Sequence, residues 1–276
     1  MNNYGIHNGK EMMSKVTIND TEFYYETHGS GDPIVLIGGL KADHLGWLPI
    51  LDKLAQDHMV LIFDNRGTGQ TIDAGKPFNT DVMAEDTIQL INKLELNKPH
   101  IVGHSLGGAI AQVIAHKHTD KIKSVALCNT FIKLNESAKK VFTSTLEIHR
   151  AGKSQADIMN SLVPWVFSDG FITPELLEII HKTSDENPYP QTLLGYERQL
   201  NALYTFNSHA WVDHINIPTL VIAADEDKIA LISESQELAK RIRGSKLVTL
   251  SAGHLSQVEK PVEFVMALKS FYYGLV

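Results

Sequence analysis

Six short, largely apolar runs constrain this chain more than any other feature of its sequence. They are residues 34–37 (IVLI), 59–63 (MVLIF), 100–103 (HIVG), 124–128 (SVALC), 219–223 (TLVIA) and 246–250 (KLVTL). Runs of this length suit strands buried on both faces. Helical patterns lie between them. Residues 81–96 set Ala84, Ile88, Ile91 and Leu94 on one face, and a second helix is expected over 106–118. Pro261 opens a last helix carrying Val262, Val265, Leu268 and Phe271. Such alternation requires right-handed crossovers and a mostly parallel sheet with helices on both faces.

The beginning and the middle depart from that rhythm. Residues 15–18 (KVTI) and 22–26 (EFYYE) flank the turn-like Asn19-Asp20-Thr21, which predicts an antiparallel hairpin at the sheet edge and eight strands in all. Between about 132 and 210 no strand run occurs. Helical segments there carry Leu162, Trp165, Phe167, Phe171, Leu177, Ile180, Tyr196, Leu200 and Leu203, so the stretch reads as a helical insertion. The division is therefore a core in two parts, 13–131 and 211–276, interrupted by a cap over 132–210. Residues 1–12 are expected to be a disordered extension.

Composition excludes several classes of function. With 43% hydrophobic and 21% charged residues, the chain is an ordinary globular one. Its formal charge is −7 and no dense basic run occurs, which argues against nucleic acid and against an anionic membrane surface. The single cysteine, Cys128, excludes an internal disulfide and falls within a strand run. The first residues hold no apolar stretch of the signal-peptide kind, and no segment approaches the ~20 apolar residues of a spanning helix. A cytoplasmic location is the expectation. His116 and His118 point in different directions on one helix, and no His or Cys cluster has metal-ligand spacing, so no metal and no cofactor are expected.

Gly103-His104-Ser105-Leu106-Gly107 stands where a strand run passes into a helical pattern, the setting of a nucleophile elbow. A serine in so sharp a turn needs neighbours without Cβ atoms, and at a helix N-terminus it meets backbone N–H groups suited to developing negative charge. A serine hydroxyl still needs an imidazole to take its proton and a carboxylate to orient that imidazole. Both follow in order. Asp227, with Asp225 as rival, comes just after the run 219–223, and His254 sits in the loop after 246–250. Each therefore falls at the carboxyl edge of a strand, where open α/β sheets build their sites. Neighbouring His104 is read as packing under the elbow, and Asp64 and Arg66 as a charged pair fixing their turn.

From about residue 15 onward the chain resembles the α/β-hydrolase fold family. Besides GHSLGG at 103–108, the likeness covers 24–39 (YYETHGSGDPIVLIGG), 63–71 (FDNRGTGQT), 217–227 (IPTLVIAADED) and 252–264 (AGHLSQVEKPVEF). The resemblance implies Ser105 as nucleophile, His254 as base, Asp227 as orienting acid, and an oxyanion hole from the backbone N–H groups of Leu106 and Leu40. One departure is Gly38-Gly39 where members often carry His-Gly. The implied function is a serine hydrolase acting on a small or medium carboxylic ester or lactone, with a small-molecule acyl substrate as its partner. Residues 163–171 and 201–215 are loosely similar to enol-lactonases and ring-cleavage-product hydrolases, so carbon–carbon bond hydrolysis is an alternative reading. A ligand sensor with slow or single turnover, acting through a protein partner, is another.

Overall fold

In a computed structural model, residues 12–72 and 75–275 are described. The expected extension at 1–12 lies outside them, except that Met12 already opens a strand. The strands are β1 (Met12–Ile18), β2 (Thr21–His28), β3 (Asp32–Ile37), β4 (His58–Phe63), β5 (His100–His104), β6 (Ser124–Cys128), β7 (Thr219–Ala224) and β8 (Lys246–Leu250). They form one eight-stranded sheet in the order β1-β2-β4-β3-β5-β6-β7-β8. The expected hairpin is there. Ile18 pairs with Thr21 across Asn19 and Asp20, with Asn19 at φ 54°, and β2 runs antiparallel to β4 while the strands from β4 to β8 pair in parallel.

The helices are α1 (Leu48–Ala55), α2 (Thr80–Lys93), α3 (Leu106–Lys117), α4 (Glu136–Arg150), α5 (Gln155–Val166), α6 (Pro174–Glu186), α7 (Leu193–Thr205), α8 (Ile232–Arg241), α9 (Ser256–Glu259) and α10 (Pro261–Tyr273). Successive strand residues feed opposite faces. Val35, Ile37, Ile101 and Val125 join a core with α2, α3 and α8, whereas Ile34, Leu36, Val102 and Ala126 join a second core with α1 and α10. Cys128 lies in that second core, and burial pushes its thiol well up, so it is an inert packing group.

Two expectations fail for one reason, exposure at the rim. In β8 only Leu250 is buried, because β8 is the last strand and has a neighbour on one side alone. Val262 is 51% exposed, and the buried stripe of α10 is Phe264, Val265, Leu268, Phe271 and Tyr272.

The chain between β6 and β7 is helical, as the missing strand run suggested, and holds α4 to α7. Its two ends meet. Lys133 pairs with Asn207 in an isolated antiparallel bridge, and Ser208 N donates to Ile132 O at 2.9 Å. Pro174 and Thr173 start α6, and Ser154 caps α5 in a reciprocal box with Asp157.

Asp64 and Arg66 are not partners of each other. Arg66 donates to both oxygens of Asp86, at 2.8 and 2.7 Å, and to Thr21 at 2.6 Å. Asp64 Oδ1 accepts from His44 N and Nδ1, each at 2.7 Å, and Oδ2 from Gln70 N at 2.7 Å. The Arg66 and Asp86 side chains are 6% and 2% exposed, so removing one leaves an uncompensated buried charge. Arg66→Met is expected to lower the free energy of urea unfolding by roughly 3–5 kcal/mol, and Arg66→Met/Asp86→Leu to recover more than half of that loss.

Candidate active site

Ser105 stands between β5 and α3 with φ 55° and ψ −116°, in a region costly for a residue with a Cβ. The surroundings impose that shape. Ser105 N donates to Cys128 O at 3.0 Å, and Thr130 Oγ1 donates to Ser105 O at 2.9 Å. Two residues on, a Cβ at Gly107 would fall 2.0 Å from Ile37 O, so α3 packs its backbone directly on the end of β3. A Cβ at Gly39 would fall 3.1 Å from Ser105 Cβ and 3.2 Å from His104 Nδ1. The loop after β3 is thereby pressed against the elbow.

That contact sets the loop after β3 beside the elbow, and Leu40 and Leu106 belong to these two segments. Leu106 is the first residue of α3, and first-turn N–H groups have no acceptor inside their own helix. Leu40 follows Gly39. Its loop is held by Asn65 Nδ2 donating to Gly38 O at 2.9 Å, by Ala42 N donating to Gly39 O at 3.3 Å and by the His44–Asp64 pair. The sequence departure from His-Gly to Gly38-Gly39 thus leaves a loop tied at several points.

Asp227 and His254 meet at the same edge of the sheet. His254 Nδ1 lies 2.8 Å from Asp227 Oδ2 and 3.0 Å from Oδ1. The carboxylate also accepts from Ile229 N and Ala230 N, both at 2.8 Å, and from Asn129 Nδ2 at 3.0 Å. Burial alone would raise its pKa, but the His254 charge and these donors hold it below the ordinary carboxylate value. Asp225 is separate. It is exposed and accepts from Ser251 Oγ and Ala252 N, both at 3.2 Å, so it ties the turns after β7 and β8 together.

Some supporting residues escaped the sequence reading. Asn129 is fully buried at φ 46°, and besides holding Asp227 it accepts from Ser256 Oγ at 2.6 Å, so it links the acid loop to the histidine loop. Its signal was present, since it is the first residue past β6 at the carboxyl edge. Glu259 is a second such residue. Its carboxylate accepts from Gly253 N and Ser168 N, both at 3.0 Å, and from Ser168 Oγ at 2.5 Å. At the other end, Leu255 N donates to Val166 O at 3.0 Å. The chain leaving α5 is therefore fastened to the histidine loop on both sides of His254.

Ser105, Asp227 and His254 are 4%, 4% and 3% exposed, so the site is enclosed. An open groove of about 290 Å³ on α4 and α5, lined by Ser137, Lys140, Val141 and Trp165 among others, includes none of the three. Among the described residues no group of three or more His, Cys, Asp or Glu is placed to hold a metal ion, and no helix is long and apolar enough to cross a membrane. His116 instead stacks on Trp211 with ring centres 4.7 Å apart.

A family model described as the alpha/beta hydrolase fold matches residues 32–261. The chain belongs to the α/β-hydrolase fold family. This α/β-hydrolase is 28% identical over 258 residues to a protein of Pseudomonas syringae pv. syringae named putative carbamate hydrolase RutD, covering 91% of this chain and 97% of the relative. It is 26% identical to 3-oxoadipate enol-lactonase 2 of Acinetobacter baylyi, covering 92% and 94% of the two chains. Among solved structures it is similar to the enol-lactonase from Burkholderia xenovorans LB400, with a TM-score of 0.85 and 25% identity over 94% of this chain and 100% of the other.

His104 lies under the elbow, as expected, and its Nε2 bonds His254 O at 2.8 Å. Burial, helped by the neighbouring His254, lowers its pKa to about 3. The folded state therefore keeps His104 neutral where an unfolded histidine, with a pKa of about 6.5, takes up a proton. Its contribution to stability is complete above pH ~6.5 and is lost as pH falls toward about 3. His104→Gln keeps a donor for His254 O. It is expected to flatten the acid-side fall in unfolding free energy by up to ~1.4 kcal/mol per pH unit, measured by urea unfolding between pH 6.5 and 4.

Proposed function

We propose that this α/β-hydrolase cleaves a small or medium carboxylic ester or lactone through an acyl-enzyme on Ser105. The observation carrying the proposal is the buried Asp227–His254 pair at 2.8 Å, on the same sheet edge as a serine held at φ 55°. In this reading Ser105 Oγ attacks the carbonyl carbon while His254 Nε2 takes its proton. Asp227, held by N–H groups of Asn129, Ile229, Ala230 and His254, keeps Nδ1 protonated and stabilises the imidazolium. The N–H groups of Leu106 and Leu40 receive the oxyanion. The tetrahedral intermediate collapses as His254 passes the proton to the leaving oxygen. Water, deprotonated by His254, then releases the acid and restores Ser105.

Residues 132–210 are the cap of this proposal, between core parts 13–131 and 211–276. Its α5 reaches from the loop after β3, through Gln155, to the histidine loop, through Val166, and so roofs the elbow. A roof that excludes water strengthens each electrostatic contact at the reacting carbonyl. The names of the relatives, an enol-lactonase and a putative carbamate hydrolase, favour hydrolysis at a carbonyl bearing a heteroatom leaving group.

Release of p-nitrophenol from esters of graded acyl length provides the test. Multiple turnover is expected for the wild type, with kcat lowered roughly 10³-fold or more in Ser105→Ala. Asp227→Asn is expected to lose about 10³–10⁴-fold, and Asp225→Asn less than about threefold. Turnover that survives Ser105→Ala, or a single equivalent of product, would overturn the proposal.

A further inference from the structure

Lys41 follows directly on the proposed oxyanion donor Leu40 and holds φ 67°, in the left-handed region that lysine seldom occupies. Neighbouring elements fix it there. Lys41 N donates to Gln199 Oε1 at 3.2 Å, and Gln199 is itself gripped by Gln191 Nε2 at 2.9 Å and donates to Arg66 O at 2.9 Å. Lys41 Nζ donates to Gln155 Oε1 at 2.8 Å, under the first residue of α5. The same helix ends at Val166, whose carbonyl receives Leu255 N, next to His254. Lys41 and His254 therefore stand under opposite ends of one helix. Ser105 lies between them, against Gly39 on one side and beside His104, whose ring centre is 4.8 Å from that of His254, on the other.

Among the described residues this ammonium is in no ion pair. Among the described residues its acceptor is a neutral amide, and no carboxylate lies within ion-pair distance. Asp43, whose field it feels, is occupied by Leu45 N at 3.0 Å and Asn187 Nδ2 at 3.4 Å. Burial draws the Lys41 pKa down to about 8. Across from it on α4, His149 feels the Lys41 charge and has a buried Nδ1 without a hydrogen-bond partner. A half-buried cation facing neutral groups gains from an anion that completes it.

We infer that Lys41 is a specificity-determining residue for acyl groups ending in a carboxylate, which its ammonium binds at the α5 end of the site opposite His254. The inference rests on Ser105 being the acylated residue. His149 Nδ1, which feels the Lys41 charge, is the second polar atom offered to that carboxylate. The recognised carboxylate is remote from the scissile carbonyl, because Leu40 and Lys41 serve the two groups from adjacent positions.

Two p-nitrophenyl esters with six-carbon acyl chains test this: the hexanoate and the mono-adipate, which differ by a terminal carboxylate. Wild-type kcat/KM is expected to favour the adipate at least about tenfold, the scale of a hydrogen bond to a charged group. Lys41→Met is expected to lower that preference by roughly 10–100-fold, chiefly through KM, and Lys41→Arg to keep it within about threefold. A wild type without the preference, or a Lys41→Met loss equal on both esters, overturns the inference. Inhibition of the wild type by adipamate and by neutral adipamide needs no variant: adipamate should bind at least about tenfold more tightly, and equal inhibition constants overturn the assignment. Ser105→Ala separates the two readings. If it still hydrolyses the hexanoate, the nucleophile reading fails; if it is inactive and the wild type ignores the carboxylate, only the role of Lys41 fails.

Discussion

The contact on which the rest of the molecule depends is backbone against backbone, where α3 lies on the end of β3 at Gly107 and Ile37. No side chain separates the two, since even a Cβ would sit 2.0 Å from the Ile37 carbonyl. Because the helix comes so close, the loop after β3 lies against the elbow, and Ser105 is held at φ 55° beside it. The strain at that residue is repaid by packing on every side, as expected of a strained residue that persists in a folded state. Gly39 extends the same logic to the opposite wall, where the loop carrying Leu40 touches the serine itself.

Around this rigid point the other groups are tethered, not packed. Asp227 stays charged at 4% exposure because backbone N–H groups, Asn129 and His254 occupy its oxygens. Asn129 and Ser256 join the loops that carry the acid and the histidine, and Glu259 joins the histidine loop to the chain after α5. Asp227 and His254 thus come from different stretches of sequence, yet each is one hydrogen bond from a neighbour's support. Asp64 does the same for the wall opposite, fixing His44 and so the loop that contains Leu40.

What was legible in the sequence was local. Runs such as 34–37 and 124–128 announce themselves by composition, and the glycines around Ser105 announce a turn too sharp for other residues. The order of Ser105, Asp227 and His254 past the ends of β5, β7 and β8 could be read for the same reason, because each lies within a few residues of an apolar run. Pairing across space could not be read. Arg66 was matched with its near neighbour Asp64, but its partner Asp86 is on α2, one hydrogen-bonded layer away. The exposure of β8 and of Val262 depends on which elements end up at the rim, and no window of a few residues contains that information. Lys41 was silent for a similar reason, since an ammonium acquires meaning only from what the fold sets opposite it.

The bridge between Lys133 and Asn207 has a further consequence. More than seventy residues leave the sheet and return within a single pair of hydrogen-bonding positions, with Ser208 sealing the gap to Ile132 and Gln112. The sheet therefore experiences that whole stretch as a closed excursion within the parallel crossover from β6 to β7, whatever its contents. Loop-closure cost grows only slowly with length, so insertions and deletions there leave the strands and their register almost untouched. The strands around the insertion keep their register whatever lies between Lys133 and Asn207, while the loops at His254 and Lys41 feel each change through Val166, Ser168 and Gln199.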